Sequence, residues 1–304
     1  MKYLILNPML GTPETSIVSS MKIAVFLRDF LGAQLVTGKD YKNLPDIKSD
    51  ILFFVNASTT FTKPEMREYI PYIIKKSKCC IYIQNDYLLV PRPLWRNATK
   101  NFIWWTIVQR RVKSEYDRLI NFNVLTYDPI KKVLPYPTMK TLFYYGSCRP
   151  GRVDDMQEYL DNIITTISAS SHVAKHKFED ILSYPSIYFD KSKSIIEQIH
   201  NYSLSLYMLD KTTVRHAEMP ANRFYESLSA RRAMVFDYKA EEMFKKCGYD
   251  ITPYIVRNSK DIKNMMKHSE KIAKEQWKKW SKDYVGELKK TIRKEIANIQ
   301  KNLL

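Results

Sequence analysis

Short, unbroken apolar runs recur along the chain, at residues 3–6, 34–36, 51–55, 80–83, 141–145, 204–209, 233–236 and 254–256. Longer segments between them repeat their apolar residues every three or four positions. A half-exposed strand alternates apolar and polar residues, whereas a strand covered on both faces reads as a continuous apolar run. The pattern therefore predicts parallel strands joined by crossover helices, which is an α/β architecture.

Residues 87–113 interrupt this rhythm with prolines, three tryptophans, six Arg/Lys and no acid. They read as an elaborated loop region rather than another βα unit. The Pro-rich stretch DPIKKVLPYP at 128–137 is the best boundary between domains. The expected division is a first Rossmann-like domain over residues 1–130, a second over 131–270, and a C-terminal helix over 271–304 that packs back towards the first. Two such domains place a cleft at the carboxyl ends of their strands.

Composition then narrows the partners. Forty-nine Lys/Arg against 32 Asp/Glu leave a formal charge of +17, a large excess that points to a polyanion: DNA, RNA or an anionic membrane. From Lys260 to the end there are 13 Lys/Arg against 6 Asp/Glu, equally readable as a solvated helix face. Cys79, Cys80, Cys148 and Cys247 lack C-x-x-C spacing, so reduced thiols are expected and a structural zinc site is not. The apolar start is too short for a signal peptide, and no run reaches the length of a membrane span. His172 and His176 stand four apart without companion ligands, so no metal site is assigned.

Three stretches can carry chemistry. The run at 141–145 ends in Gly146-Ser147 and then presents Arg149 and Arg152 ahead of a helix, offering backbone N–H groups, a hydroxyl and two guanidinium forks for a diphosphate. An ordinary strand-to-helix turn with surface arginines would read the same way. Arg223 and Glu226, one helical turn apart, can serve a phosphate and the two hydroxyls of a ribose, or can be a surface ion pair. Asp86 follows the run at 80–83 and can act as a general base on a hydroxyl, or as a cap or turn residue.

Taken together, these stretches resemble the DNA β-glucosyltransferases of T-even bacteriophages, within the GT-B superfamily. That family carries Tyr-Gly-Gly-Ser-Phe-Arg-Ser-Gly-Gln-Arg where this chain has Tyr145-Gly-Ser-Cys-Arg-Pro-Gly-Arg152. It carries Leu-Arg-Val-Trp-Glu-Thr-Met-Ala-Ser, then an apolar strand and Asp, where this chain has Asn222-Arg-Phe-Tyr-Glu-Ser-Leu-Ser-Ala230 and Ala233-Met-Val-Phe-Asp237. Its strand ending in Phe-Thr-Asp is similar to Ile83-Gln-Asn-Asp86, its Val-Asn-Ser-Ser turn to Val55-Asn-Ala-Ser58, and its Lys-rich helix with a central Trp to Lys274-Glu-Gln-Trp-Lys-Lys279.

The resemblance implies a GT-B fold, two Rossmann-like parallel-sheet domains facing a cleft. It implies a UDP-sugar donor, UDP-glucose foremost, with Gly146, Ser147, Arg149, Arg152 and Arg223 at the diphosphate and Glu226 at the ribose. A Mg or Mn ion is admitted without assignable ligands. The implied acceptor is the hydroxyl of hydroxymethylcytosine in double-stranded DNA, flipped out of the helix, with Asp86 as base and a monomeric enzyme in the cytoplasm of an infected bacterium. Direct displacement would invert the sugar, and a retaining course stays open. Arg92, Arg96, Lys100, Arg110, Arg111 and Lys113 are the expected contacts to DNA phosphates, and Trp95, Trp104 or Trp105 could fill the emptied stack, unless the last two belong to a core-packed helix. A GT-B transferase with a glycolipid or small-molecule acceptor is the alternative, and a non-catalytic DNA-binding protein is a third reading.

Overall fold

Every apolar run named above lies in or beside a strand of one of two parallel sheets in the computed structural model. It describes residues 1–8, 19–38, 48–55, 64–85, 90–146, 150–160, 163, 165–169, 194–209 and 218–303. The chain divides into two compact units, Met1–Leu125 with Tyr284–Leu304, and Thr126–Asp283.

The first unit holds β1 (Tyr3–Asn7), β2 (Gln34–Thr37), β3 (Ser49–Val55), β4 (Ser77–Gln84), β5 (Phe102–Thr106) and β6 (Arg118–Leu119), in the order β2-β1-β3-β4-β5-β6. All neighbours pair in parallel, with Leu4 opposite Leu52 and Phe53 opposite Ile81. Helices α1 (Ser19–Leu31), α2 (Pro64–Lys75) and the single turn α3 (Pro93–Arg96) form crossovers. On one face Ile70, Ile73 and Ile74 of α2 and Trp95 of α3 pack over Leu4, Leu6, Leu52, Phe54 and Tyr82. Full coverage explains the unbroken apolar runs: β3 is buried at every residue except Asp50.

The segment at 87–113 departs from the loop expected for it. Phe102–Thr106 is a regular strand, paired with β4 from Cys80 opposite Phe102 to Gln84 opposite Thr106. Phe-Ile-Trp-Trp-Thr is rich in strand-forming residues, and the surrounding cations and prolines masked that signal. Trp104 and Trp105 are core residues in a strand, not in a helix. They face opposite sides of the sheet, Trp104 against Tyr82 at 5.2 Å and Trp105 against Phe53 at 5.7 Å between ring centroids.

The second unit holds β7 (Leu142–Gly146), β8 (Thr165–Ala169), β9 (Leu204–Tyr207), β10 (Ala233–Asp237) and β11 (Ile255–Val256), ordered β11-β10-β9-β7-β8 and again wholly parallel. Its described helices are α4 (Pro150–Leu160), α5 (Ile195–His200), α6 (Asn222–Ser229), α7 (Glu241–Lys246), α8 (Ser259–Lys267) and α9 (Ser269–Trp280). Strand β11 is only two residues long, so some of β10's ladder needs another partner. Gln276 of α9 supplies it: its side chain accepts from the Met234 N–H at 2.9 Å and donates to the Met234 carbonyl at 2.6 Å.

The last helix, α10 (Tyr284–Leu303), returns to the first unit. It buries Leu288, Ile292, Ile296 and Ile299 at helical spacing. Glu295 pairs with Arg118 of β6 at 2.7 Å, and Gln300 donates to the Tyr3 hydroxyl of β1 at 3.0 Å. Among the described residues no helix is long and apolar enough to cross a membrane.

Candidate active site

In each sheet one pair of neighbouring strands marks a reversal of winding direction. From β7 the chain moves outward to β8, then crosses back to β9 on the other side, so the switch point of the second unit lies between β7 and β9. Crossover loops diverge there, leaving an opening at the carboxyl ends where parallel α/β sheets bind ligands. In the first unit the reversal falls between β1 and β3.

Arg223 lies at the second unit's switch point. It is the second residue of α6, and its guanidinium donates to the Met208 carbonyl just beyond β9 at 3.0 Å and to the Tyr144 hydroxyl near the end of β7 at 3.4 Å. The same group lies over the Tyr144 and Tyr207 rings, 5.6 and 5.5 Å from their centroids. A guanidinium is planar and weakly hydrated, so aromatic faces and a carbonyl can hold it while it keeps donors for another anion. Tyr207 also anchors the helix: Ala221, the N-cap, has no capping side chain, and its N–H donates to the Tyr207 hydroxyl at 3.0 Å.

Glu226, one turn further along α6, is 8% exposed. That burial removes the surface ion-pair reading, because a solvated pair needs both partners in water and a buried carboxylate needs hydrogen-bond donors. Beneath it Ser227 accepts from the Ser205 hydroxyl of β9 at 3.0 Å, fixing the helix to the sheet.

Of the remaining diphosphate candidates, Gly146 and Arg152 have a described place in the second unit. Gly146 is the last residue of β7, and α4 begins at Pro150. Ser147 and Arg149 lie outside the described residues, and for Arg152 only its place in the first turn of α4 is described. Asp86 also lies outside them; β4 ends two residues earlier, at Gln84. Its neighbour Asn85 donates to the Asn123 side chain at 2.7 Å, which ties the end of β4 to the segment beyond β6. Gln84 in turn accepts from the Thr106 hydroxyl of β5 at 3.3 Å.

The basic segment lies in the first unit. Arg96, Lys100, Arg110 and Lys113 are exposed, and Arg92 and Arg111 are half-buried over Trp95 and Trp104, 5.8 and 5.4 Å from the ring centroids. None of the six is ion-paired with a carboxylate among the described residues. Burial, and then the nearby Arg110 and Arg96 charges, hold the Arg111 guanidinium below its ordinary pKa. The loop carrying Arg110, Arg111 and Lys113 is fastened by buried Asp117, whose carboxylate accepts from the backbone N–H groups of Trp104, Lys113 and Ser114 at 2.7, 3.0 and 2.8 Å. The stacking role considered for the tryptophans does not survive. Trp95, Trp104 and Trp105 are all buried.

Sequence reasoning missed Tyr144, Tyr207 and Asn85. The one signal for the tyrosines was an aromatic at the end of an apolar run, which a core strand also shows. Among the described residues, burial pushes the Cys79 thiol up to about 12 and the Cys247 thiol to about 11, far from a reactive thiolate. Among the described residues no group of three or more His, Cys, Asp or Glu could hold a metal ion.

Two wholly parallel α/β units and a long C-terminal helix returning to the first constitute a GT-B-like fold. Solved structures that share it include the following. The chain is similar to T4 phage BGT in complex with UDP and Mn2+, with a TM-score of 0.70 at 16% identity, covering 97% of this chain and 99% of that one. It is similar to the DNA modifying enzyme beta-glucosyltransferase, solved with and without its substrate uridine diphosphoglucose, with a TM-score of 0.66 at 16% identity over 98% and 100%. An alpha-glucosyltransferase bound to UDP and a 13-mer DNA with a central A:G mismatch has a TM-score of 0.60 at 10% identity over 91% and 93%. No family model and no curated protein matches the chain.

Proposed function

We propose that this protein is a DNA glycosyltransferase that moves a sugar, glucose foremost, from its UDP donor to the hydroxyl of hydroxymethylcytosine in double-stranded DNA. The observation that carries the reading is the Arg223 guanidinium laid across the switch point of β7 and β9, with buried Glu226 one turn behind it. The similarity in fold to UDP-bound and DNA-bound glucosyltransferases supports it over most of the chain. The uncompensated cations at 92–113 favour a DNA acceptor over a neutral one.

On this reading the second unit binds the donor. Arg223, with Arg149 and Arg152, faces the diphosphate, aided by the backbone and hydroxyl of Gly146 and Ser147, and Glu226 takes the ribose hydroxyls. The first unit binds DNA through its basic segment, and the target nucleotide leaves the stack because a paired base cannot present its substituent to a buried site. Asp86 removes the acceptor's proton as its oxygen bonds to the anomeric carbon and the bond from that carbon to UDP breaks. General-base assistance of this kind is worth about 10² to 10⁴ in rate. Negative charge grows on the departing diphosphate, and preorganised arginines stabilise it more in the transition state than in the bound donor.

The test incubates the protein with UDP-glucose and duplex DNA containing cytosine or hydroxymethylcytosine, then weighs the digested nucleosides by mass spectrometry. A hexose increment on hydroxymethylcytosine alone, lost in Asp86→Asn, is expected. No increment with any UDP-sugar on any DNA would overturn the reading in favour of a non-DNA acceptor.

A further inference from the structure

With the three tryptophans in the core, the exposed large hydrophobics among the described residues of the basic segment are both aliphatic. Leu94 is 61% exposed and Val90 48%. The local sequence, Val90-Pro-Arg-Pro-Leu-Trp-Arg96, explains how a leucine comes to stand outward. Pro93 fixes the start of the single turn α3. Trp95, two residues on, is 1% exposed, packs on Phe54 at 5.3 Å, and donates its indole N–H to the Arg67 carbonyl at 3.3 Å. Successive helical residues point about 100° apart, so anchoring Trp95 in the core turns Leu94 away from it.

An exposed leucine by itself is ordinary; its surroundings are not. Arg92 lies on one side of it in the chain, held over the Trp95 ring, and Arg96 on the other. Arg96 is within electrostatic reach of Arg111, which is also beside Arg110, and no carboxylate among the described residues neutralises any of them. Such a cluster repels itself unless an anion enters, and a row of guanidiniums suits the phosphates of a nucleic-acid backbone. Apolar side chains set among such cations are the devices by which proteins enter a groove, pry neighbouring base pairs apart and hold the duplex open. Val90 stands four positions after Asp86 in the chain.

We infer that Leu94, supported by Val90, is the wedge that enters the DNA stack and holds the target nucleotide outside the helix, while Arg92 and Arg96 grip the flanking phosphates. The inference rests on the DNA-glycosyltransferase reading above and adds to it the residue that does the opening. Leu94 is a positioning residue: it touches neither donor nor acceptor hydroxyl. Its effect is confined to substrates whose base must be unstacked, since an unpaired base has far less to lose on leaving the helix.

The experiment compares wild type, Leu94→Ala, Leu94→Ser and Leu94→Met on one hydroxymethylcytosine oligonucleotide, presented fully paired, opposite an abasic site, and single-stranded. Leu94→Ala and Leu94→Ser should lose at least about 10-fold in kcat/KM on the paired duplex, a fraction of the cost of unstacking a paired base. On the unpaired substrates they should stay within about twofold of wild type, and Leu94→Met, still long and apolar, should restore most of the duplex rate. Undiminished turnover of paired duplex by Leu94→Ser, or an equal loss on all three substrates, overturns the wedge while leaving the transferase reading intact. Wild-type protein that glycosylates none of the three sinks the transferase reading itself.

Discussion

Replacing Arg223 by Lys tests the donor site while keeping the charge. The guanidinium meets a carbonyl, a hydroxyl and two ring faces at once near the ends of β7 and β9. A lysine ammonium is a strongly hydrated point charge and cannot hold that set while also facing a phosphate. A charge-assisted hydrogen bond is worth about 1.5 to 3 kcal/mol, and the retained Coulomb attraction offsets some of it. The expected loss is about 1.5 to 2.5 kcal/mol, or roughly 10- to 70-fold in the dissociation constant for UDP. Titration calorimetry with UDP reads it directly, and an unfolding scan confirms that the variant is folded. A folded Arg223→Lys protein that binds UDP within about twofold of wild type would refute the placement of this arginine at the diphosphate.

Two further outcomes concern the fold that holds this site. Gln276→Leu is close in volume but leaves the N–H and C=O of Met234 without the partner that completes β10's ladder; at about 1 to 3 kcal/mol per orphaned buried group, the loss should be about 2 to 4 kcal/mol. A urea-unfolding change below about 1 kcal/mol would show that the ladder closes some other way. His200 accepts from the Leu134 N–H at 2.8 Å through Nε2 and meets the Ala230 carbonyl at 2.8 Å through Nδ1, an arrangement that requires the neutral ring. Burial above all holds its folded pKa below the ordinary 6.5, with the Arg232 charge adding to the effect. The unfolded chain therefore takes up the proton first, and stability should fall as pH drops through 6.5 and level off below the folded pKa. Urea midpoints between about pH 8 and 5.5 measure this, and a His200→Gln protein with the same slope as wild type would exclude His200 as its source.

The strands legible from sequence were those with both faces covered. Ile51 to Val55 and Ile81 to Ile83 read as strands because no position among them meets water. β8 was missed because Thr165-Thr-Ile-Ser-Ala169 is half polar, as a strand paired among the described residues with β7 alone can be. β5 was hidden by the charged residues that flank it. At the site, the i, i+3 spacing of Arg223 and Glu226 was visible, but the ring that supports Arg223 comes from Tyr144, 79 positions away.

The amino-acid sequence alone determined the α/β class, the places of most strands and the cationic excess of the chain. Periodicity and charge report the surroundings of each residue one at a time, so those properties need no knowledge of long-range pairing. Tertiary structure alone decided that β7 and β9 are neighbours at a switch point, that Glu226 is buried, and that the tryptophans of the basic segment turn inward while Leu94 turns out. These depend on which crossovers bring distant strands together and on which of two adjacent apolar side chains the core has room for. Local pattern carries neither.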